Sequence, residues 1–299
     1  MLKKNQKEYF DNNDFNKREY IENMLRAENI SYKYSNGEDF GIKDVNLSVR
    51  EKKFTALIGP NGCGKSTVFK LLMGEIKPDK GKIYLGDKDI SKINIKDKSK
   101  KIAIVHQKNQ YVHGFTIREV VSMGRTSYQS IFGSLSKEDK LAIDNALYLV
   151  GLTDIADKYC NEISGGQLQR VWLALALAQE PEIILLDEPT TYLDVKYQIQ
   201  LLEMVRELVD NHGITCLAIL HDLNQVLNYS DFTYIMKDGE IKYSGETEEI
   251  LSFNNIKNIF GVNSNMVDSY DGRKVLDIYL DKEDKNVHKD IKFGQIIQI

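Results

Sequence analysis

The sequence lacks most of what would mark a secreted, membrane-spanning or fibrous protein. Its 299 residues include only three cysteines, Cys63, Cys160 and Cys216, with no C-x-x-C spacing. A disulfide framework is thereby excluded, and a reducing cytoplasm is the expected setting. The longest uninterrupted apolar run, Val171–Ala178, falls far short of the roughly twenty residues that cross a bilayer. No apolar core of a signal peptide occurs in the first 23 residues. Internal repeats and heptad runs are missing as well. Charge of one sign is also lacking: 40 basic against 44 acidic residues leave a net −4. That balance argues against binding nucleic acid by bulk electrostatics, although a local basic patch stays open. What remains, 42% hydrophobic and 28% charged, is a globular chain able to bury one large α/β domain or two small ones.

What is present centres on Gly59-Pro60-Asn61-Gly62-Cys63-Gly64-Lys65-Ser66-Thr67, which fits the phosphate-loop pattern G-x-x-x-x-G-K-[ST]. The context fits too. Phe54–Ile58 upstream reads as a buried strand, and Val68–Met73 downstream reads as helix. Glycines are needed because backbone N–H groups must close around phosphate oxygens with no Cβ in the way. The helix that follows offers its positive end to the same anion. Lys65 would then reach the β- and γ-phosphates, and the Ser66 hydroxyl would ligate Mg²⁺. A nucleotide and Mg²⁺ are therefore the expected cofactors.

Around this loop the chain reads as follows. Residues 1–23 are polar and charge-mixed, a disordered leader; order is expected to begin at Met24, and a translation start at Met24 is the hypothesis that intact mass would settle. Leu25–Tyr34 and Val45–Val49 alternate as half-buried strands do. Lys82–Leu85 and Lys101–Val105 are further strands. From about residue 108 to 165 the texture turns helical, with a capping box at Ser136–Asp139 and a helix stop at Gly151. Ile183–Leu186 and Thr215–Leu220 are continuous apolar runs, suited to central strands covered on both faces. Asp238-Gly239 and Asp271-Gly272 read as hairpin turns. Residues 24–262 thus form the main domain, and 263–299 a hairpin followed by a charged tail.

Two further stretches carry chemistry. Ile183–Leu186 ends in Asp187-Glu188, where the first acid would help hold Mg²⁺ and the second would polarise an attacking water. Acids after a strand are common, and it is the phosphate loop that turns the balance. Ser164-Gly165-Gly166-Gln167 opens the helix Gln167–Ala178 and repeats the logic of backbone donors at a helix N-terminus. The bland reading is a glycine turn with Ser164 as N-cap. One nucleotide needs only one cradle; one resolution is that the second serves the nucleotide of another copy.

Phosphate loop, Ser-Gly-Gly-Gln, Leu-Leu-Asp-Glu-Pro and Leu-Ala-Ile-Leu-His-Asp follow one another in the order that marks the ATP-binding-cassette ATPases, which the chain resembles from Leu25 to Val262. The resemblance implies an α/β fold: a RecA-like P-loop NTPase core, an antiparallel β subdomain and an inserted helical subdomain. It implies a head-to-tail homodimer, with ATP between the phosphate loop of one copy and Ser164–Gln167 of the other. By the same resemblance Glu188 is the catalytic base and His221 the switch histidine at the γ-phosphate. Gln107 senses Mg²⁺ and the attacking water. Asp194, in Thr191-Tyr192-Leu193-Asp194, is the acid of the loop that crosses the dimer. Tyr34 stacks on adenine, although a tyrosine in a strand usually packs and Tyr32 is close by. Ile163 stands where the family has Leu, and Lys52 where it commonly has Gly.

Finer features, Met123-Gly124-Arg125-Thr126, Phe132-Gly133, Thr190-Thr191-Tyr192-Leu193-Asp194, His221–Gln225 and Phe260-Gly261-Val262, are similar to the importers of ferric siderophores, haem and cobalamin, and related zinc and manganese importers share some of them. That branch implies an ATPase subunit on the cytoplasmic face of the membrane. It would bind two permease subunits and act, indirectly, with a substrate-binding protein; no nucleic-acid partner is expected. The alternative, a soluble cassette acting on ribosomes or DNA, is disfavoured by the single cassette and by the lack of a heptad run.

Overall fold

The structure is a computed structural model and describes residues 23–34, 41–106, 113–129, 134–270 and 272–280. The leader before Asn23, Gln107, Phe132-Gly133, Asp271 and the tail after Leu280 lie outside the described residues.

The described chain forms β1 (Asn23–Lys33), β2 (Gly41–Arg50), β3 (Phe54–Ile58), α1 (Lys65–Leu72), β4 (Lys80–Leu85), β5 (Lys88–Asp89), α2 (Ile95–Lys101) and β6 (Ile102–Val105). Then come α3 (Ile117–Ser122), α4 (Lys137–Leu149) and α5 (Gly165–Ala178), the helices of the insertion. The core resumes with β7 (Ile183–Asp187), α6 (Val195–His212), β8 (Thr215–Ile219), α7 (Leu223–Tyr229), β9 (Phe232–Lys237) and β10 (Glu240–Glu246). Helices α8 (Thr247–Ile250) and α9 (Phe253–Phe260) lead to the ribbon of β11 (Asn263–Asp268) and β12 (Lys274–Tyr279).

The main sheet has the order β10-β9-β3-β8-β7-β6, parallel except for β10. Every residue of β3 and β8 is buried, as expected of strands covered on both faces. Their alternation divides two cores. Phe54, Ala56, Ile184, Leu186, Cys216 and Ala218 face the layer containing α5, α6 and the insertion. Leu57, Leu185, Leu217 and Ile219 face α1 and the antiparallel sheet β2-β1-β4-β5. The start of β3 is pinned by one carboxylate: the Phe54 N–H donates to Asp231 Oδ2 at 2.8 Å, and Arg206 of α6 donates to the same oxygen at 3.0 Å.

Local signals explain the element ends. Ser136 and Asp139 cap α4 reciprocally, and the helix stops before Gly151, whose φ is 65°. Lys101, read as the start of a strand, instead closes α2 and pairs with Glu182. The helix expected from Gln167 begins two residues earlier, because Ser164 is its N-cap and Gln167 returns a bond to the Ser164 N–H. Lys52 adopts φ 54°, the left-handed conformation in which glycine is at ease.

Candidate active site

Parallel register gathers the site at one edge. Leu57 of β3 and Asp187 of β7 both pair with Ile219 of β8. The next residues in each chain segment are therefore neighbours: the phosphate loop after β3, Glu188 after β7 and His221 after β8. Ligands bind beyond such carboxyl ends in open parallel sheets.

Gly59 has φ 152°, and a Cβ there would come within 2.2 Å of the Met236 carbonyl oxygen. Gly64 has φ 109° and caps α1, with Ile42 Cδ1 at 2.6 Å from the same imagined atom. Gly62, φ 77°, is surrounded by open space, so backbone conformation alone calls for glycine there. The Asp238-Gly239 turn braces the loop from behind, since the Gly239 N–H donates to the Cys63 carbonyl at 3.0 Å. Cys63 is buried, and burial pushes its thiol upward, against the pull of Lys65. Asn61 and Ser66 are exposed and Pro60 half-buried. The Lys65 ammonium is buried and donates to the carbonyls of Gly59 at 2.8 Å and Pro60 at 3.0 Å. Tyr34 and Thr67 hydrogen-bond through their hydroxyls at 2.9 Å, and the Tyr34 ring meets Tyr32 edge-on. That aromatic is therefore held beside the end of the phosphate loop.

Glu188 and His221 touch, with Nε2 and Oε1 2.7 Å apart. Glu188 has φ 50°, a left-handed backbone that costs a non-glycine residue about 1–2 kcal/mol. Thr191 steadies it: its N–H donates to the Glu188 carbonyl at 3.2 Å and its hydroxyl to Oε2 at 3.4 Å. Burial and the neighbouring Glu188 charge raise Asp187 above the usual carboxylate range, with His106 and Lys70 opposing.

Ser164–Gln167 lies elsewhere, at the N-terminus of α5, and forms no hydrogen bond to the phosphate loop among the described residues. Its neighbour is the Asp194 loop. A Cβ on Gly166 would stand 2.6 Å from the Tyr197 ring of α6, whereas one on Gly165 would meet nothing within 4 Å. Asp194 is exposed and opens α6 without a side-chain cap. Tyr192 before it has φ 68° and is 80% exposed. One chain thus presents two separate surfaces, a phosphate loop with its acids and a glycine turn with an acidic loop.

A family model described as ABC transporter matches residues 42–191. The iron(3+)-hydroxamate import ATP-binding protein FhuC of Bacillus subtilis (strain 168) is 39% identical over 82% of this chain and 90% of its own. The ferric enterobactin transport ATP-binding protein FepC of Escherichia coli (strain K12) is 37% identical over 82% and 89%. The chain belongs to the ABC transporter family. Among solved structures, the dimeric cassette MJ0796, in a post-hydrolysis state with ADP and Pi, superposes with TM-score 0.65 at 30% identity, covering 75% of this chain and 99% of that one. A transporter assigned to the metal-chelate type, in an inward-facing conformation, gives TM-score 0.75 at 27% identity, covering 86% and 96%.

As an ABC ATPase, the chain has features that its motifs alone did not disclose. Gln225 of α7 donates to Gln198 at 2.8 Å and accepts from Thr190 at 3.3 Å, and Gln198 donates to the Leu193 carbonyl at 2.8 Å. These amides tie the Asp194 loop to the helix that follows His221. Asn224 pairs twice with the backbone of Leu276, docking the C-terminal ribbon on that same helix. Both residues stand in the His221–Gln225 stretch, but their long-range partners leave no local trace in sequence. Among the described residues no helix is long and apolar enough to cross a membrane.

Proposed function

We propose that this ABC ATPase powers uptake of a ferric siderophore, or a related metal chelate such as haem or cobalamin, from the cytoplasmic face of the membrane. The observation that carries the catalytic part is the Glu188–His221 contact at the strand edge beside the phosphate loop. The cargo class rests on likeness to relatives named for iron(3+)-hydroxamate and ferric enterobactin.

In this reading ATP lies on Gly59–Thr67, with Tyr34 at the adenine. Lys65 exchanges its two carbonyl acceptors for phosphate oxygens. Glu188 orients the attacking water, and His221 holds Glu188 and meets the γ-phosphate. Gln107, by resemblance, is the residue that senses Mg²⁺ and the attacking water. Ser66 and Asp187 would hold Mg²⁺: both offer hard oxygen donors, and no cluster of three or more acidic, histidine or cysteine ligands exists among the described residues. That sparse set suits a cation that keeps its waters and binds substrate phosphates. When bound, it neutralises charge on the phosphates. Positioning and charge stabilisation then supply the acceleration.

The two separate surfaces suit a head-to-tail homodimer. Ser164, Gly165, Gly166, Gln167 and Asp194 of one copy would close over the nucleotide held by the other. Closure would move two bound permease subunits, fed by a substrate-binding protein. Labelled uptake in a strain lacking the gene tests the cargo, comparing a ferric siderophore, haem and cobalamin. One cargo should be lost and be restored by wild type but not by Glu188→Gln. Normal entry of all three would contradict the importer reading.

A further inference from the structure

Helix α5 carries the Ser164–Gln167 turn at one end, and an unusual clamp holds the other. The last carbonyls of a helix have no partner within it and need one from outside. Here the buried Arg125 supplies one: its Nη1 donates to the Ala178 carbonyl at 2.8 Å. Tyr128 supplies another through its hydroxyl, 2.8 Å from the Gln179 carbonyl. Gly124 lets this segment approach, since a Cβ there would stand 2.4 Å from the Leu175 carbonyl oxygen.

Arg125 also reaches beyond α5. Its Nε donates to Asp139 at 2.8 Å, the residue that completes the α4 capping box, and its Nη1 donates to Glu180 at 2.7 Å. The Tyr128 ring lies under the guanidinium, with Cζ 3.7 Å from the centroid. Glu180, φ 50°, lies in the short link from α5 to β7, the strand that ends in Asp187. One guanidinium therefore joins α4, the end of α5 and the link to the catalytic strand.

From this geometry we infer that Arg125 is a positioning residue that aims α5, and hence Ser164–Gln167, at the nucleotide of the other copy. The inference rests on the head-to-tail reading above. Leverage makes the end clamp matter. The 14 residues of α5 span about 21 Å, so a tilt of about 5° at the clamp shifts the glycine turn by about 2 Å. Hydrogen bonds to a phosphate do not survive such a shift. The positive guanidinium also suits the negative end of the helix dipole. Lysine keeps the charge but has no planar fork to serve three acceptors on different elements.

The test uses the full chain carrying Glu188→Gln, alone or with Arg125→Lys or Tyr128→Phe. Two quantities are measured: ATP affinity at protein concentrations where the chain is monomeric, and the protein concentration at half-dimerisation in saturating ATP. Arg125→Lys should leave ATP affinity within about twofold and raise the dimerisation midpoint at least about tenfold. Tyr128→Phe should shift the midpoint in the same direction by less, and it carries the test if Arg125→Lys fails to fold. Unchanged midpoints in the folded variants would overturn the positioning role alone. Affinity and dimerisation falling in parallel would also overturn it, marking a merely structural residue. If the parent Glu188→Gln chain itself does not dimerise with ATP, the head-to-tail reading falls, and this inference with it.

Discussion

Glu188 leaves β7 in a left-handed backbone conformation, and Thr191 and His221 hold it there. Strain of this kind persists only where the surroundings over-determine it. Its neighbour Asp187 pays a different cost, being an acid partly buried beside another acid. Burial and the Glu188 charge raise its folded pKa above the ordinary value. Between those two values the folded chain holds a proton that the unfolded chain has lost, so stability falls as pH rises through that window. Asp187→Asn should therefore raise the melting temperature of the nucleotide-free protein at neutral pH. The gain should shrink as pH drops and Asp187 is protonated in both states. Melting curves from pH 4 to 8 in the absence of Mg²⁺ would check this; a constant or reversed difference would refute it. The acids were legible because they end an apolar run. The contact of Glu188 with His221 was not, because it depends on the pairing of β7 with β8.

At the scale of elements, the glycine turn before α5 makes a sharp contrast possible. Gly166 faces the Tyr197 ring at a distance no Cβ can accept, while Gly165 faces open space. Gly166→Ala should destabilise the fold by about 1–3 kcal/mol, the usual range for overpacking. Gly165→Ala should leave stability unchanged or raise it by up to about 1 kcal/mol, the helix-propensity difference. Denaturant unfolding of the two variants decides; equal effects would contradict the packing described. Much of this level was readable in advance. Phe54–Ile58, Ile183–Leu186 and Thr215–Leu220 announced buried parallel strands, and Ser136–Asp139 announced a capped helix. Ser164 proved both an N-cap and half of a capping box, so the bland reading of that residue is part of the structure whatever else it does. Arg125 was visible only as one letter of a motif. A buried arginine satisfied by three elements far apart in sequence gives no local periodicity to read.

For the whole molecule, the central fact is that the phosphate loop and the Ser164–Gln167 turn lie on separate surfaces of one chain. The phosphate loop, Asp187, Glu188 and His221 gather at the sheet edge, whereas Ser164–Gln167 and Asp194 share a second surface on α5 and α6. In the proposed head-to-tail reading, a complete site requires two copies. Two glycine turns, each opening a helix, were legible in the order of motifs; their placement on separate surfaces depends on long-range packing and was not. The ATPase assignment is tested most directly by turnover of the purified chain with and without Glu188→Gln, at saturating ATP and Mg²⁺. The account predicts that turnover falls by at least about 100-fold, the lower range for removing a general base, while ATP affinity is retained. Turnover at the wild-type rate in Glu188→Gln would contradict it.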